Sequence, residues 1–550
     1  MNGSTSSDRA LTMYRNGSVY STADPLATAM LVDGDTVAWV GSEHAATSIL
    51  DSKMQVVDLQ GALVAPGFVD SHVHLTETGI GLSSLDLSAV RSLGELLDAV
   101  AGAAAAQPAG ILLGHGWDES EWPERRVPSA AELDAASGGR RVYLARTDVH
   151  CAVVSGALAA DLGLAGYDGW EDGFVVRDAH AAARRAAREF SLPERAGYQQ
   201  AALRAAAAAG IVAVAEMAAP HIGTVEDLRQ LLGLEGSLGE APLPQVLGYW
   251  GQAVATEQEA RDVAALFEGR LRGLAGDLNI DGSIGARTAR LRAPYADAPD
   301  ELGTLFLTAE EAGAHLAAAT AAGLQGGFHV IGDGGLDVAL EALRIAAKLQ
   351  GEEAVRARHH RFEHVEMADD AAIAELVRFG VTAGLQPVFD ALWGAPEGLY
   401  SQRLGADRAA GMNRTASLLS AGVPVAFGSD SPVTSLDPWS AVRAAVMHHN
   451  RAERVSARAA FIASTRAGWR AAGGSNPMLG QLGPGTPASF AVWEVEELMV
   501  QAADPTVQAW STDPRARTPL LPALDTDHAP RCLQTVHHGT ELYRSDDFGA

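Results

Sequence analysis

The sequence predicts an α/β protein: a (β/α)8 TIM-like barrel with a small β-sandwich domain formed from both termini. Three observations carry this. Short apolar runs alternate with alanine-rich helical stretches through the middle of the chain, the pattern of parallel strands joined by crossover helices. The apolar runs are continuous rather than alternating, as a sheet covered on both faces requires. Segments of β character lie at both ends of the chain, and chain termini often lie close together.

The elements follow in order. MYRNGSVYS, AMLVDGDTVAWVG and MQVVDLQGALVAPG, within residues 11–67, are β-rich and broken by Asn-Gly and Asp-Gly turns. SFAVWEV (Ser489–Val495) and LQTVHHGTELY (Leu533–Tyr543) share that character. Residues 1–65 and 485–550 are therefore expected to form one small β domain, with 66–484 as the barrel. GILLGHGW, RVYLART, GIVAVAE, LNIDG, GGFHVIGD, HRFEHVE, VTAGLQP and VPVAFGSD read as buried strands. EDLRQLLGL, AEEAGAHLAAATAAG, GLDVALEALRIAAKL and DAAIAELVRFG read as helices. With PGFVDSHVHL added the strands exceed eight, so part of Leu112–Ile280 is expected to be an insertion between early strands.

Composition narrows the function. The 550 residues carry 41 basic and 68 acidic side chains, a formal charge of −27. That balance opposes a nucleic-acid partner and an anionic membrane surface. Two cysteines, Cys151 and Cys532, exclude a disulfide framework and fit a reducing compartment. No apolar signal segment opens the sequence, and the most apolar window, Ala205–Ala219, is interrupted by Gly210 and Glu216. A cytoplasmic protein is expected, acting on a small molecule.

Polar residues recur where strand candidates end. His72 and His74 in PGFVDSHVHL stand at i and i+2, which on a strand points both imidazoles to one face. His329 ends GGFHVIGD, His364 ends HRFEHVE and Asp430 ends VPVAFGSD. In a barrel these ends form the catalytic face. Neutral imidazoles with a carboxylate suit zinc or another borderline divalent ion. Each residue alone is explained as well by packing or capping; four such placements together are not.

These motifs resemble the metal-dependent amidohydrolase superfamily. DGSIGARTARLRAPYAD (Asp281–Asp297), FHVIGD, RFEHVE, GSDSPV (Gly428–Val433), GHGWDESEWPERRVPSAAELD (Gly114–Asp134) and VYLARTDVHCAVVSGALA (Val142–Ala159) resemble, more narrowly, amidohydrolase family 3 and its N-substituted formamide deformylases. The resemblance implies that His72, His74, His329 and His364 are metal ligands, and that Asp430 is both ligand and proton shuttle. A metal lowers the pKa of bound water to about 7, and a nearby carboxylate can carry the water's proton to the leaving nitrogen. The implied activity is hydrolysis of a non-peptide C–N bond of the amide or formamide type by metal-activated water. A homodimer is a further expectation from the family.

One departure stands out. Many relatives bridge two metals with a carbamylated lysine on the fourth strand; here Asp277 stands at that place, and the only lysines are Lys53 and Lys348. One zinc ion is expected rather than two, with Asp277 and Glu216 as the alternative bridging groups. The bland readings are a strand-start residue bonded to backbone for Asp277 and an ion-paired acid for Glu216. His115 and His150 end strand candidates and are read as pocket residues or as packing. Arg287 could hold a substrate carboxylate or pair with Asp281 or Asp297. Trp117, Trp122, Tyr295, Phe389 and Trp393 are read as pocket walls or as loop packing. Two other functions stay open: a deaminase of cyclic or aromatic amines, using Glu366 or Glu216 as the proton donor, and a catalytically degenerate small-molecule-binding barrel.

Overall fold

The structure is a computed structural model. It describes residues 11–106, 110–119, 122–146, 151–234, 242–474, 476–501, 510–511, 519–526 and 528–549. They divide into two compact units, residues 76–202 on one side and residues up to 75 with 203 onward on the other.

The larger unit holds the barrel. Its eight parallel strands are β1 (Phe68–Val73), β2 (Ile211–Ala218), β3 (Gln245–Trp250), β4 (Gly273–Leu274), β5 (Gln325–Val330), β6 (Arg361–His364), β7 (Thr382–Leu385) and β8 (Val425–Phe427). They are hydrogen-bonded in chain order. Every residue of β1, β2, β5, β6, β7 and β8 is buried, which is why these strands read as unbroken apolar runs. Just past β8 the sheet closes on β1. Val73 bridges Ser431 in parallel, Asp430 N–H donates to the His72 carbonyl over 2.8 Å, and His74 N–H donates to the Ser431 carbonyl over 2.9 Å.

Two strands differ from the sequence reading. QVLGYW forms β3 although Pro242, Pro244 and Gly248 disguise it, because its side chains are buried on both faces of the sheet. The fourth strand is Gly273–Leu274, not LNIDG. Gly276, at φ +97°, turns the chain out of the ladder, and beyond it only Asn279 bridges β5, at His329.

Both ends of the chain build a sandwich in the same unit. One sheet orders Thr36–Gly41, Ala29–Asp33, Leu11–Arg15 and Gln55–Asp58; the other orders Ser18–Val19, Leu63–Pro66, Phe490–Glu494, Arg531–His537 and Thr540–Arg544. Tyr14, Met30 and Val37 from the first sheet share one core with Val64, Phe490 and Val536 from the second. Leu63–Pro66 runs almost directly into β1, so the sandwich is tied to the barrel's first strand.

Residues 76–202 form the second compact unit. Leu112–Trp117 and Val142–Arg146, parallel neighbours, sit in a six-stranded sheet with Leu85–Asp86, Ala152–Val154, Trp170–Glu171 and Phe174–Val175. Two of the apolar runs in Leu112–Ile280 thus belong to this unit and not to the barrel. Among the described residues no helix is long and apolar enough to cross a membrane.

Gly428 lies at the barrel's closing seam. A Cβ there would stand 2.5 Å from the His72 nitrogen and 2.6 Å from the His72 Cβ, and neither can yield without moving β1. Gly428→Ala is expected to destabilise the chain by about 1–3 kcal/mol, the usual cost of overpacking, read as a lower denaturant midpoint with unchanged m-value.

Candidate metal centre

Four donors meet in a ring where β1, β4 and β8 end. His72 Nε2 lies 3.5 Å from Asp277 Oδ1 and 3.4 Å from Asp430 Oδ1. His74 Nε2 lies 3.3 Å from Asp277 Oδ2 and 3.2 Å from Asp430 Oδ1. Strand alternation puts both imidazoles on one side of β1. The turn at Gly276 delivers Asp277, and Asp430 arrives just past β8 in a left-handed backbone conformation, φ +56°. Asp70 braces the approach: its Oδ1 accepts from the His72 N–H over 3.1 Å and from the Ser429 N–H over 2.9 Å, tying β1 to β8.

His329 and His364 stand beside the ring. His329 Nδ1 is 4.0 Å from Asp277 Oδ1. His364 leaves β6 with φ +72°; its ring centroid is 5.1 Å from that of His72 and 4.4 Å from that of His329. Within 4.8 Å of one another come donor atoms of His72, His74 and Asp430, and of His72, Asp277 and His364.

The electrostatics of the ring are those of a cation site. Burial alone would lower the pKa of His72, but Asp430, Glu363 and Asp277 outweigh it and hold the imidazole at about 10. His74 is likewise driven well above its usual value, against burial, by Asp277 and Asp430. Burial pushes both carboxyls up, and the imidazoles hold them far below the ordinary carboxylate range. Two buried carboxylates require positive charge beside them, and a divalent ion supplies it in place of two protons.

The donor atoms fit such an ion. His72 Nε2 and His74 Nε2 each stand 3.2–3.5 Å from an oxygen of Asp277 and of Asp430, close to the roughly 3.3–3.4 Å that separates ligands of a tetrahedral zinc, with Asp277 turning a different oxygen to each imidazole. His72 Nε2, Asp277 Oδ1, His329 Nδ1 and His364 Nε2 are buried atoms without a hydrogen-bond partner; an ion would satisfy the first two, and the ion or a bound substrate the other two. Two of the imidazoles are fixed from behind by their second nitrogens. His72 Nδ1 lies 2.9 Å from Glu363 Oε2, and His364 Nδ1 lies 2.8 Å from Gln386 Oε1.

The remaining sequence candidates separate. Glu216, offered as a bridge, accepts the Leu75 N–H over 2.7 Å and belongs to neither donor group; it supports the backbone just past His74, and burial lifts its carboxyl to about 7. Arg287 pairs with Asp297 over 3.0 and 2.7 Å. Asp281 accepts the N–H groups of Arg290, Ile331 and Gly332, which clamps the 281–297 loop to the end of β5. Phe389 lies parallel to the His364 ring at 6.1 Å and touches Trp393 at 4.7 Å, so these two aromatics wall the site; Tyr295 packs in the loop core with Tyr400. His115, with Nδ1 3.3 Å from the Leu85 carbonyl, belongs to the unit of residues 76–202, as do Trp117 and Trp122, which pack in that unit's core. His150 lies outside the described residues.

Sequence reasoning missed three contributors. Asp70 and Glu363 sit inside quoted motifs and carry no ligand spacing of their own. His221 lies close enough to feel Asp277, His329 and His74, and burial lowers its pKa; its signal was its place three residues past the end of β2.

The chain has relatives in sequence and in structure. It is 26% identical over 516 residues to the protein LONG AFTER FAR-RED 3 of Arabidopsis thaliana, covering 87% of this chain and 86% of that one. It is 30% identical over 139 residues to the N-substituted formamide deformylase of Arthrobacter pascens, covering 25% and 26% of the two chains. The crystal structure of an uncharacterized metal-dependent hydrolase from Pyrococcus furiosus superposes with a TM-score of 0.71 at 28% identity, over 88% of this chain and 98% of that one. The sequence profile of the amidohydrolase family matches residues 55–543. That span takes in every barrel strand and all six converging side chains, and the chain belongs to the amidohydrolase family.

Proposed function

We propose that the protein hydrolyses a non-peptide C–N bond of a small molecule, of the amide or formamide type, at a single zinc ion held by His72, His74, Asp277 and Asp430. The observation that carries this reading is the convergence of two imidazoles and two carboxylates, with each imidazole nitrogen 3.2–3.5 Å from an oxygen of both carboxylates. A zinc ion there, with one position left open to water, would supply Lewis-acid polarisation of the scissile carbonyl and a water nucleophile at neutral pH.

The chain's own residues do the rest. Asp430 has a carboxylate to take the proton of the attacking water and carry it to the departing nitrogen. That delivery matters because amide nitrogen leaves poorly as an anion. His329 and His364 flank the ring on the Asp277 side, where they meet the substrate's carbonyl oxygen or its leaving group. Phe389 and Trp393 exclude water beside His364 and offer apolar contact to the substrate. The match to the formamide deformylase supports the bond type. Asp277 needs no carbon dioxide to become a carboxylate, so site assembly is independent of carbamylation.

A deaminase of cyclic or aromatic amines is the second reading. It is favoured by Glu366, two residues beyond His364, buried and with Oε2 unpartnered. Ammonia release from purines, pyrimidines and guanidines, with no turnover of formamides or acyl amides, would select it.

Three outcomes test the main reading. Elemental analysis of protein purified without chelator should give about one zinc per chain, with the same content after reconstitution in bicarbonate-depleted buffer. His72→Ala combined with His74→Ala should abolish both metal and turnover; unchanged values would refute the site. Asp430→Asn should lower kcat on a formamide or acyl-amide substrate by about 10²–10⁴-fold, and by more than it changes KM.

A further inference from the structure

A chain of polar side chains runs down the inside of the barrel beneath the donor ring. Barrel interiors are ordinarily filled by branched apolar residues. Here Arg361 and Glu363, two apart on β6 and so on one face of it, are 0% and 1% exposed. Arg361 Nε donates to Glu363 Oε1, and Arg361 Nη2 donates to Glu363 Oε2 over 3.1 Å and to the Ser71 carbonyl. The guanidinium lies over the Tyr249 ring, 5.2 Å from its centroid. Tyr249 OH donates to Gln325 Oε1 over 2.8 Å, and Gln325 Nε2 donates to the carbonyls of His359 and Ala471 over 2.5 and 3.1 Å. At the top of this chain Glu363 Oε2 meets His72 Nδ1.

A buried ion pair is seldom more stabilising than apolar packing of similar volume, so its place directly under His72 asks for another role. A carboxylate only accepts hydrogen bonds. Beside Glu363 the His72 Nδ1 therefore carries a proton, and Nε2 is the nitrogen turned to Asp277 and Asp430, whose lone pair a metal ion would take in place of a proton. Arg361 grips both Glu363 oxygens, which fixes the carboxylate's plane and, through it, the imidazole's. Ser71 is the residue before His72, so the same guanidinium also holds the backbone of β1.

We propose that Glu363, anchored by Arg361, is a positioning residue that sets the tautomer and orientation of His72 for metal binding. The proposal rests on the reading of the donor ring as a metal centre. It assigns no contact with substrate to either side chain; their effect passes through His72 alone.

The test is the zinc affinity of the full-length chain, measured by chelator competition on metal-stripped protein. Glu363→Gln keeps the shape and loses the charge, and should weaken zinc binding about 10–100-fold, the usual loss when a partner behind a ligating histidine is removed. Because Glu363→Gln leaves the Arg361 cation buried and unpaired, Arg361→Met together with Glu363→Gln serves as the second variant; it removes both charges and should show the same loss. Thermal unfolding of the stripped proteins supplies the control. A merely structural pair would lower the melting temperature and leave the affinity of the folded variants within twofold of wild type, and that result overturns the proposal. A folded wild-type chain that takes up no zinc would overturn the metal-centre reading and this proposal with it. Tight wild-type binding with unaltered variants would overturn only the role of Glu363.

Discussion

Two carboxylates drawn to one pair of imidazoles are the constraint on which this structure turns. Asp277 and Asp430 are held within 3.2–3.5 Å of His72 and His74, at the strand ends of the barrel. A pair of negative charges in such a place is tolerable only with positive charge set between them. The imidazoles of β1 answer that need with protons, and a divalent ion answers it more compactly. What the surrounding fold does is bring three elements, distant in sequence, to one point.

Barrel closure does most of this. β1 supplies both histidines and is gripped from three directions. Asp70 ties it to the Ser429 backbone, the Val73–Ser431 bridge joins it to the end of β8, and Arg361 holds the Ser71 carbonyl from inside. The absence of a side chain at Gly428 lets β8 approach His72 closely enough for Asp430 to enter the ring. Several of these junctions carry left-handed backbone at non-glycine residues, His364, Val365 and Asp430. Such conformations cost about 1–3 kcal/mol each and persist where neighbours over-determine them, which is the situation of strand ends packed around converging charges.

Much of the site was legible because its chemistry follows local rules. His72 and His74 declare themselves by i, i+2 spacing on a strand, and His329, His364 and Asp430 by ending strands. The fourth strand shows the limit. LNIDG looks like a strand by composition, yet the ladder ends at Leu274, because a glycine at φ +97° breaks it where periodicity gives no warning. QVLGYW was hidden by the prolines before it. The insertion contributed two apolar runs that composition cannot tell from barrel strands, since both sheets are covered on both faces. Glu363 and Asp70 were illegible for another reason: their roles are hydrogen bonds across 291 and 359 residues of sequence, and nothing in local pattern encodes a partner so far away.

Asp277 is the residue in which sequence and structure inform each other most. An aspartate carries only one methylene, so its reach is short. For its two oxygens to reach both His72 and His74, the backbone itself must come to the barrel's axis. The structure supplies that movement: β4 stops after two paired residues, Gly276 turns the chain inward, and Asn279 rejoins β5 beside His329. The broken strand and the short acid are therefore two parts of one solution. Where the resemblance raised the expectation of a long side chain, the fold brings a short carboxylate within 3.3–3.5 Å of both imidazoles by backbone geometry.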